Sequence, residues 1–127
     1  MPGPLSVLVV DSYPDAAEST AVVLRLNGFA ARVTLGSGEA LAAVRDWTPD
    51  VVLLDIPLRD GDGYQLLAEL RTVLPHPPLV VVLTGLDGCE HKSRLAGCDH
   101  HLTKPIDPRH LIDLLGGYAQ SRPVEVG

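Results

Sequence analysis

Val51-Val52-Leu53-Leu54 sets four large aliphatic residues in succession and then stops at Asp55. A half-solvated strand leaves every second position polar, so an unbroken run belongs to a strand covered on both faces, as inside a parallel sheet. The residues that follow, Ile56-Pro57-Leu58-Arg59-Asp60-Gly61-Asp62-Gly63, are rich in turn formers. Asp55 is thereby delivered to the carboxyl edge of the sheet, where open α/β folds keep their sites.

The rest of the chain repeats that grammar. Leu5 to Val10 is an aliphatic run ending at Asp11, and Ser12-Tyr13-Pro14-Asp15 supplies turn and N-cap chemistry. A helix is predicted through about Leu26, with Ala17, Ala21 and Leu24 on its buried face, stopped by Asn27-Gly28. Ala30 to Leu35 alternates and suits a strand nearer the sheet edge. Ser37-Gly38-Glu39 opens a second helix carrying Ala40, Val44 and Trp47 on one face and ending at Thr48-Pro49-Asp50. After Gly63 a helix with Leu66, Leu70 and Val73 on one face is closed by Pro75, Pro77 and Pro78. Leu79 to Leu83 forms an apolar strand ending at Thr84. A short helix is expected from about Glu90 to Ala96, then a less apolar strand from His100 to Lys104. Asp107-Pro108 begins the last helix, striped by Leu111, Leu114, Leu115 and Tyr118.

Five strands alternating with five helices and no hairpin imply a doubly wound parallel α/β sheet with helices on both faces. At 127 residues the chain is read as one domain over 1–127, with a core from about 5 to 119 and a tail from 121 to 127. Met1 and the short tail favour a stand-alone unit. A net charge of -6, no basic run and few aromatics speak against a nucleic-acid surface. No apolar stretch reaches the roughly 18 residues of a membrane helix, and the N-terminus lacks a signal peptide's positive segment. The expected address is the cytoplasm, where Cys89 and Cys98 stay reduced.

Strands ending at Asp11, Asp55, Thr84 and Lys104 bring two carboxylates, a hydroxyl and an ammonium to one edge. Clustered carboxylates call for a cation, and hard oxygen donors suit Mg²⁺. A metal held by Asp11 and Asp55 would shield a phosphoryl group approaching a carboxylate nucleophile. Lys104 can bind a phosphoryl oxygen as a point charge, and Thr84 can hydrogen-bond another. The chemistry inferred is phosphorylation of Asp55.

These residues resemble the receiver domain of two-component response regulators across about Leu5 to Tyr118. The resemblance is carried by Leu8-Val9-Val10-Asp11, Pro49-Asp50-Val51-Val52-Leu53-Leu54-Asp55, Asp62-Gly63, Leu83-Thr84-Gly85 and Ala96-Gly97-Cys98-Asp99-His100-His101-Leu102-Thr103-Lys104-Pro105. It implies a (βα)5 flavodoxin-like three-layer sandwich with strand order 2-1-3-4-5. It also implies that Asp55 accepts phosphate from a histidine kinase or phosphotransfer protein. Thr84, His101 and Pro105 would belong to the switch that signals to an output protein, the Lys104-Pro105 bond would be cis, and the state would be monomer or weak dimer. Enzyme activity would go no further than self-phosphorylation and self-dephosphorylation. The wording Asp99-His100-His101-Leu102 is similar to receivers that work beside hybrid histidine kinases.

The Mg²⁺ set implied by the resemblance is Asp11, Asp55 and the Pro57 carbonyl, with Ser12 where the family has a second acidic residue. That substitution weakens the expected metal site. It leaves a phosphorylation-independent binding module on the same fold as the alternative function. Arg59 stands where the family has proline, and the interval from Thr84 to Lys104 is about two residues short. Three other readings fit less well. An EF-hand through Asp60-Gly61-Asp62-Gly63 and Glu69 would start on Leu58, and a dehalogenase-like hydrolase would need an aspartate at Pro57. Zinc on Cys89, His91, Cys98, His100 and His101 would need cysteines at opposite ends of the expected helix to meet. Lys104 and Thr84, each taken alone, are ordinary strand-end residues.

Overall fold

The computed structural model describes residues 4–56, 58, 61–84 and 97–121. Its strands are β1 (Ser6–Val10), β2 (Ala30–Thr34), β3 (Val51–Ile56), β4 (Leu79–Thr84) and β5 (His100–Thr103). Its helices among the described residues are α1 (Pro14–Leu26), α2 (Ser37–Ala43), α3 (Gly63–Val73) and α4 (Pro108–Ser121). The strands form one parallel sheet in the order β2-β1-β3-β4-β5, as expected. The helix expected over Glu90–Ala96, and all of the tail beyond Ser121, lie outside the described residues. None of the described helices is long and apolar enough to cross a membrane.

Side chains of a strand alternate between faces, so the aliphatic runs divide into two cores. Leu8, Val10, Val52, Leu54, Val80 and Val82 pack with Ala40, Leu66, Leu67 and Leu70 beneath α2 and α3. Val7, Val9, Val51, Leu53, Val81 and Leu83 pack with Ala17, Ala21, Leu24, Leu111 and Leu115 beneath α1 and α4. Every residue of β3 is buried, which is why its sequence carries no polar residue before Asp55. β2 and β5 are the edges, and their mixed sequences reflect it.

The helix starts are set locally. Asp62 caps α3 by accepting the Tyr64 N–H at 2.9 Å, and Pro14 occupies the first turn of α1. Asp107 accepts the Arg109 N–H at 2.9 Å at the start of α4. Gly28, with φ +88°, takes the left-handed turn after α1 that a side chain resists.

Two expectations are corrected. Trp47 does not sit on α2, which ends at Ala43; it packs half-buried on the core, with the Arg32 guanidinium 4.7 Å from its ring centre. Helical spacing continued in the sequence after the hydrogen bonds had stopped, and edge strand β2 supplied the partner. Val73 is exposed, because the buried face of α3 turns through Leu66, Leu67 and Leu70.

Candidate functional site

Strand register brings the site together. Val10 pairs with Leu54, so Asp11 and Asp55 leave the sheet side by side. Ile56 pairs with Thr84, and Thr84 with Thr103, so Lys104 emerges one step past the end of β5. The ladder continues beyond the strands: Asp11 N–H donates to the Thr34 carbonyl at 3.0 Å, and Lys104 N–H to the Thr84 carbonyl at 2.8 Å. Four side chains at the carboxyl ends of four different strands are thereby held by backbone hydrogen bonds.

The Lys104 ammonium lies 3.0 Å from Asp55 Oδ1 and 3.5 Å from Asp11 Oδ2. Asp11, Ser12, Asp55 and Thr84 are all buried. Asp11 has a second task, because its Oδ1 accepts the Tyr13 N–H at 2.9 Å and so organises the entry to α1. Burial pushes the Asp55 carboxyl up to about 6, the Lys104 hydrogen bond opposing and the neighbouring Asp11 charge reinforcing the rise. At neutral pH the group is therefore still mainly ionised and only partly screened from its like-charged neighbour.

Thr84 Oγ1 donates to the Ile56 carbonyl at 2.9 Å, so its hydroxyl is engaged with β3. His101 is half-buried and in register with Val82; it faces the side opposite Leu102, which packs under α1 and α4. The Lys104-Pro105 peptide bond is cis, as expected. Pro57 and Arg59 lie outside the described residues, as do Cys89 and His91.

The donor set fits a hard cation: two carboxylates at one place, with Ser12 a neutral buried hydroxyl next to Asp11. Among the described residues no group of three or more His, Cys, Asp or Glu side chains gathers to hold a metal. Cys98 is a half-buried thiol pushed up by its burial, with Arg71 opposing. Asp62, the central residue of the EF-hand reading, is occupied as a helix cap.

The sequence reading assigned no separate role to two aspartates on the opposite edge of the sheet. Asp50 Oδ2 accepts the Ser6 N–H at 2.8 Å, and Asp99 Oδ2 accepts the Val80 N–H at 2.8 Å. Both stand immediately before a strand, Asp50 before β3 and Asp99 before β5. Position was the only signal available for them.

Residues 7–116 match the family described as the response regulator receiver domain. The chain is 37% identical over 111 residues to the probable transcriptional regulatory protein TcrX of Mycobacterium tuberculosis, covering 86% of this chain and 47% of that protein. It is 36% identical over 107 residues to the DNA-binding response regulator MtrA of Mycolicibacterium smegmatis, covering 84% and 46%. The chain thus spans about half the length of these curated relatives. Among solved structures it is similar to a CheY-like response regulator receiver domain protein from Methanospirillum hungatei, with TM-score 0.84, 27% identity and coverage of 93% and 95%.

Proposed function

This chain belongs to the response regulator receiver domain family, and on that premise we propose that Asp55 accepts a phosphoryl group from a phosphohistidine. The observation that carries this reading is the buried Asp55 carboxylate, 3.0 Å from Lys104 Nζ and beside Asp11 at the carboxyl edge of the sheet. An Asp55 oxygen attacks phosphorus, the N–P bond breaks, and its electron pair returns to the donor imidazole. Lys104 then shifts from the carboxylate oxygen to a phosphoryl oxygen. The Thr84 hydroxyl leaves the Ile56 carbonyl to donate to another. Asp11, Asp55 and the Pro57 carbonyl would hold Mg²⁺, which supplies charge neutralisation for the incoming phosphoryl group.

Movement of Thr84 on β4 and of His101 on β5 carries the change to a partner surface. The partners are a histidine kinase or phosphotransfer protein on the input side and an output protein on the other. The receiver unit itself makes no nucleic-acid contact; MtrA is described as DNA-binding, and the present chain matches only about half of that protein. The whole chain serves as one receiver unit of the cytoplasm.

Incubation with Mg²⁺ and acetyl phosphate, with Asp55→Asn as control, tests the reading. An acid-stable, base-labile phosphate that appears only with Asp55 is the expected result. Its absence would favour the second reading, supported by Ser12, in which the same fold binds its partner without phosphate.

A further inference from the structure

Asp99 lies at the opposite end of β5 from the candidate site, yet it is bonded to β4 twice. Its N–H donates to the Val80 carbonyl at 2.9 Å, and its Oδ2 accepts the Val80 N–H at 2.8 Å. One residue of β4 thus has both backbone groups taken by one residue of the incoming chain. β5 has little else to choose its register. It is an edge strand of four residues with exposed ends, bonded among the described strands only to β4, and its apolar residue Leu102 is half-buried. Polar strands of this kind specify their pairing weakly.

We propose that Asp99 is a positioning residue whose carboxylate fixes the register of β5 and so delivers the Lys104 ammonium to Asp55. A slip of one residue moves the backbone by about 3.3 Å and sends each side chain to the other face. Either change separates Lys104 Nζ from Asp55, which it meets at 3.0 Å. The alternatives a slip would bring opposite Val80 are Cys98, a weak acceptor, and His100, whose ring is longer and bulkier. The chain also enters β5 from a fixed point. Arg71 Nη2 donates to the Gly97 carbonyl at 2.7 Å. Gly97 has φ +82°, and a Cβ there would lie 2.7 Å from the same Arg71 nitrogen. With Gly97 held by α3 and Asp99 clamped to Val80, the distance along β5 to Lys104 is set before the site is reached.

The proposal rests on Lys104 acting at Asp55, and its test needs no phosphoryl donor. The measurement is the side-chain carboxyl ¹³C resonance of Asp55 and the Nζ resonance of Lys104 in the intact chain. Asp99→Ala is expected to move the Asp55 resonance toward its position in Lys104→Met, and to add nothing in the Lys104→Met background. Asp99→Asn keeps a carbonyl acceptor and is expected to restore the wild-type resonances. Asp50→Ala, which loosens the same edge near β1, is expected to leave the Lys104 resonance in place. Asp99 is exposed, so the alanine variant should fold; Asp99→Ser, with a shorter acceptor, gives an intermediate displacement if it does not. Unchanged resonances in Asp99→Ala or Asp99→Ser, with only a lower thermal midpoint, would overturn the proposal. So would a failure of Asp99→Asn to restore them. A chain that refuses phosphate but shows these shifts would retain the positioning role and lose only the phosphoacceptor reading.

Discussion

Asp55 carries opposing demands in one side chain. On the proposed function it must be ionised to attack phosphorus, and its burial resists that charge. Its carboxyl holds a proton to about pH 6 when folded, against 3.8 ordinarily. Between those values the folded state binds more protons than the unfolded one, so stability falls as pH rises through the window and stays lower above it. Asp55→Asn should abolish that slope and stabilise the fold at pH 7 by on the order of 2 kcal/mol, measured by urea denaturation across a pH series. In the wild type, the rate of phosphorylation by acetyl phosphate should fall about tenfold per unit once the pH drops below the Asp55 titration. Ser12→Asp should tighten Mg²⁺ by about tenfold or more in a calorimetric titration, because it returns a carboxylate to the pair. Lys104→Met should move affinity the same way by removing the ammonium between Asp11 and Asp55. Asp11, Asp55 and Thr84 were legible because each follows or ends an aliphatic run, and Lys104 because it ends the less apolar strand before Pro105. The Thr84 bond to the Ile56 carbonyl was not, since it joins positions 28 apart in sequence.

At the scale of elements, the close approach of α3 to β3 depends on Gly63. A Cβ there would meet Ile56 Cγ1 at 2.9 Å and Cδ1 at 3.3 Å. Gly63→Ala should therefore cost about 1–3 kcal/mol in thermal or chemical unfolding, with partial relief from Ile56→Val. Gly116 and Gly117 present the reverse case: they lie inside α4 without positive φ, and a Cβ at either meets nothing within 4 Å. Alanine at each should stabilise the protein by up to about 1 kcal/mol, read as a higher urea midpoint with an unchanged slope. Existence and type of the described elements followed from apolar spacing, while ends did not. Trp47 kept helical spacing with no helix beneath it, and Val73 lost its place to Leu67, because burial depends on how a helix rolls on the sheet.

At the scale of the molecule, one sheet separates two cores that share no side chain but share β1, β3 and β4. Leu24 under α1 and Leu70 under α3 are both fully buried, on opposite faces. Leu24→Ala and Leu70→Ala should each cost about 2–5 kcal/mol, and the losses should add to within about 0.5 kcal/mol if folding remains a single transition. Calorimetry of the two single variants and the double variant checks both points. The sequence alone determined the parallel α/β class and the carboxylates on its carboxyl edge. Unbroken aliphatic runs can be buried only between two layers, and each run ends where its polar residue must leave. The tertiary structure decided what those residues touch. Lys104 reaches Asp55 and Asp11 from the far end of an edge strand, and Asp99 clamps Val80 across 19 positions. Such contacts depend on register and side-chain reach, and neither quantity exists until the strands have paired.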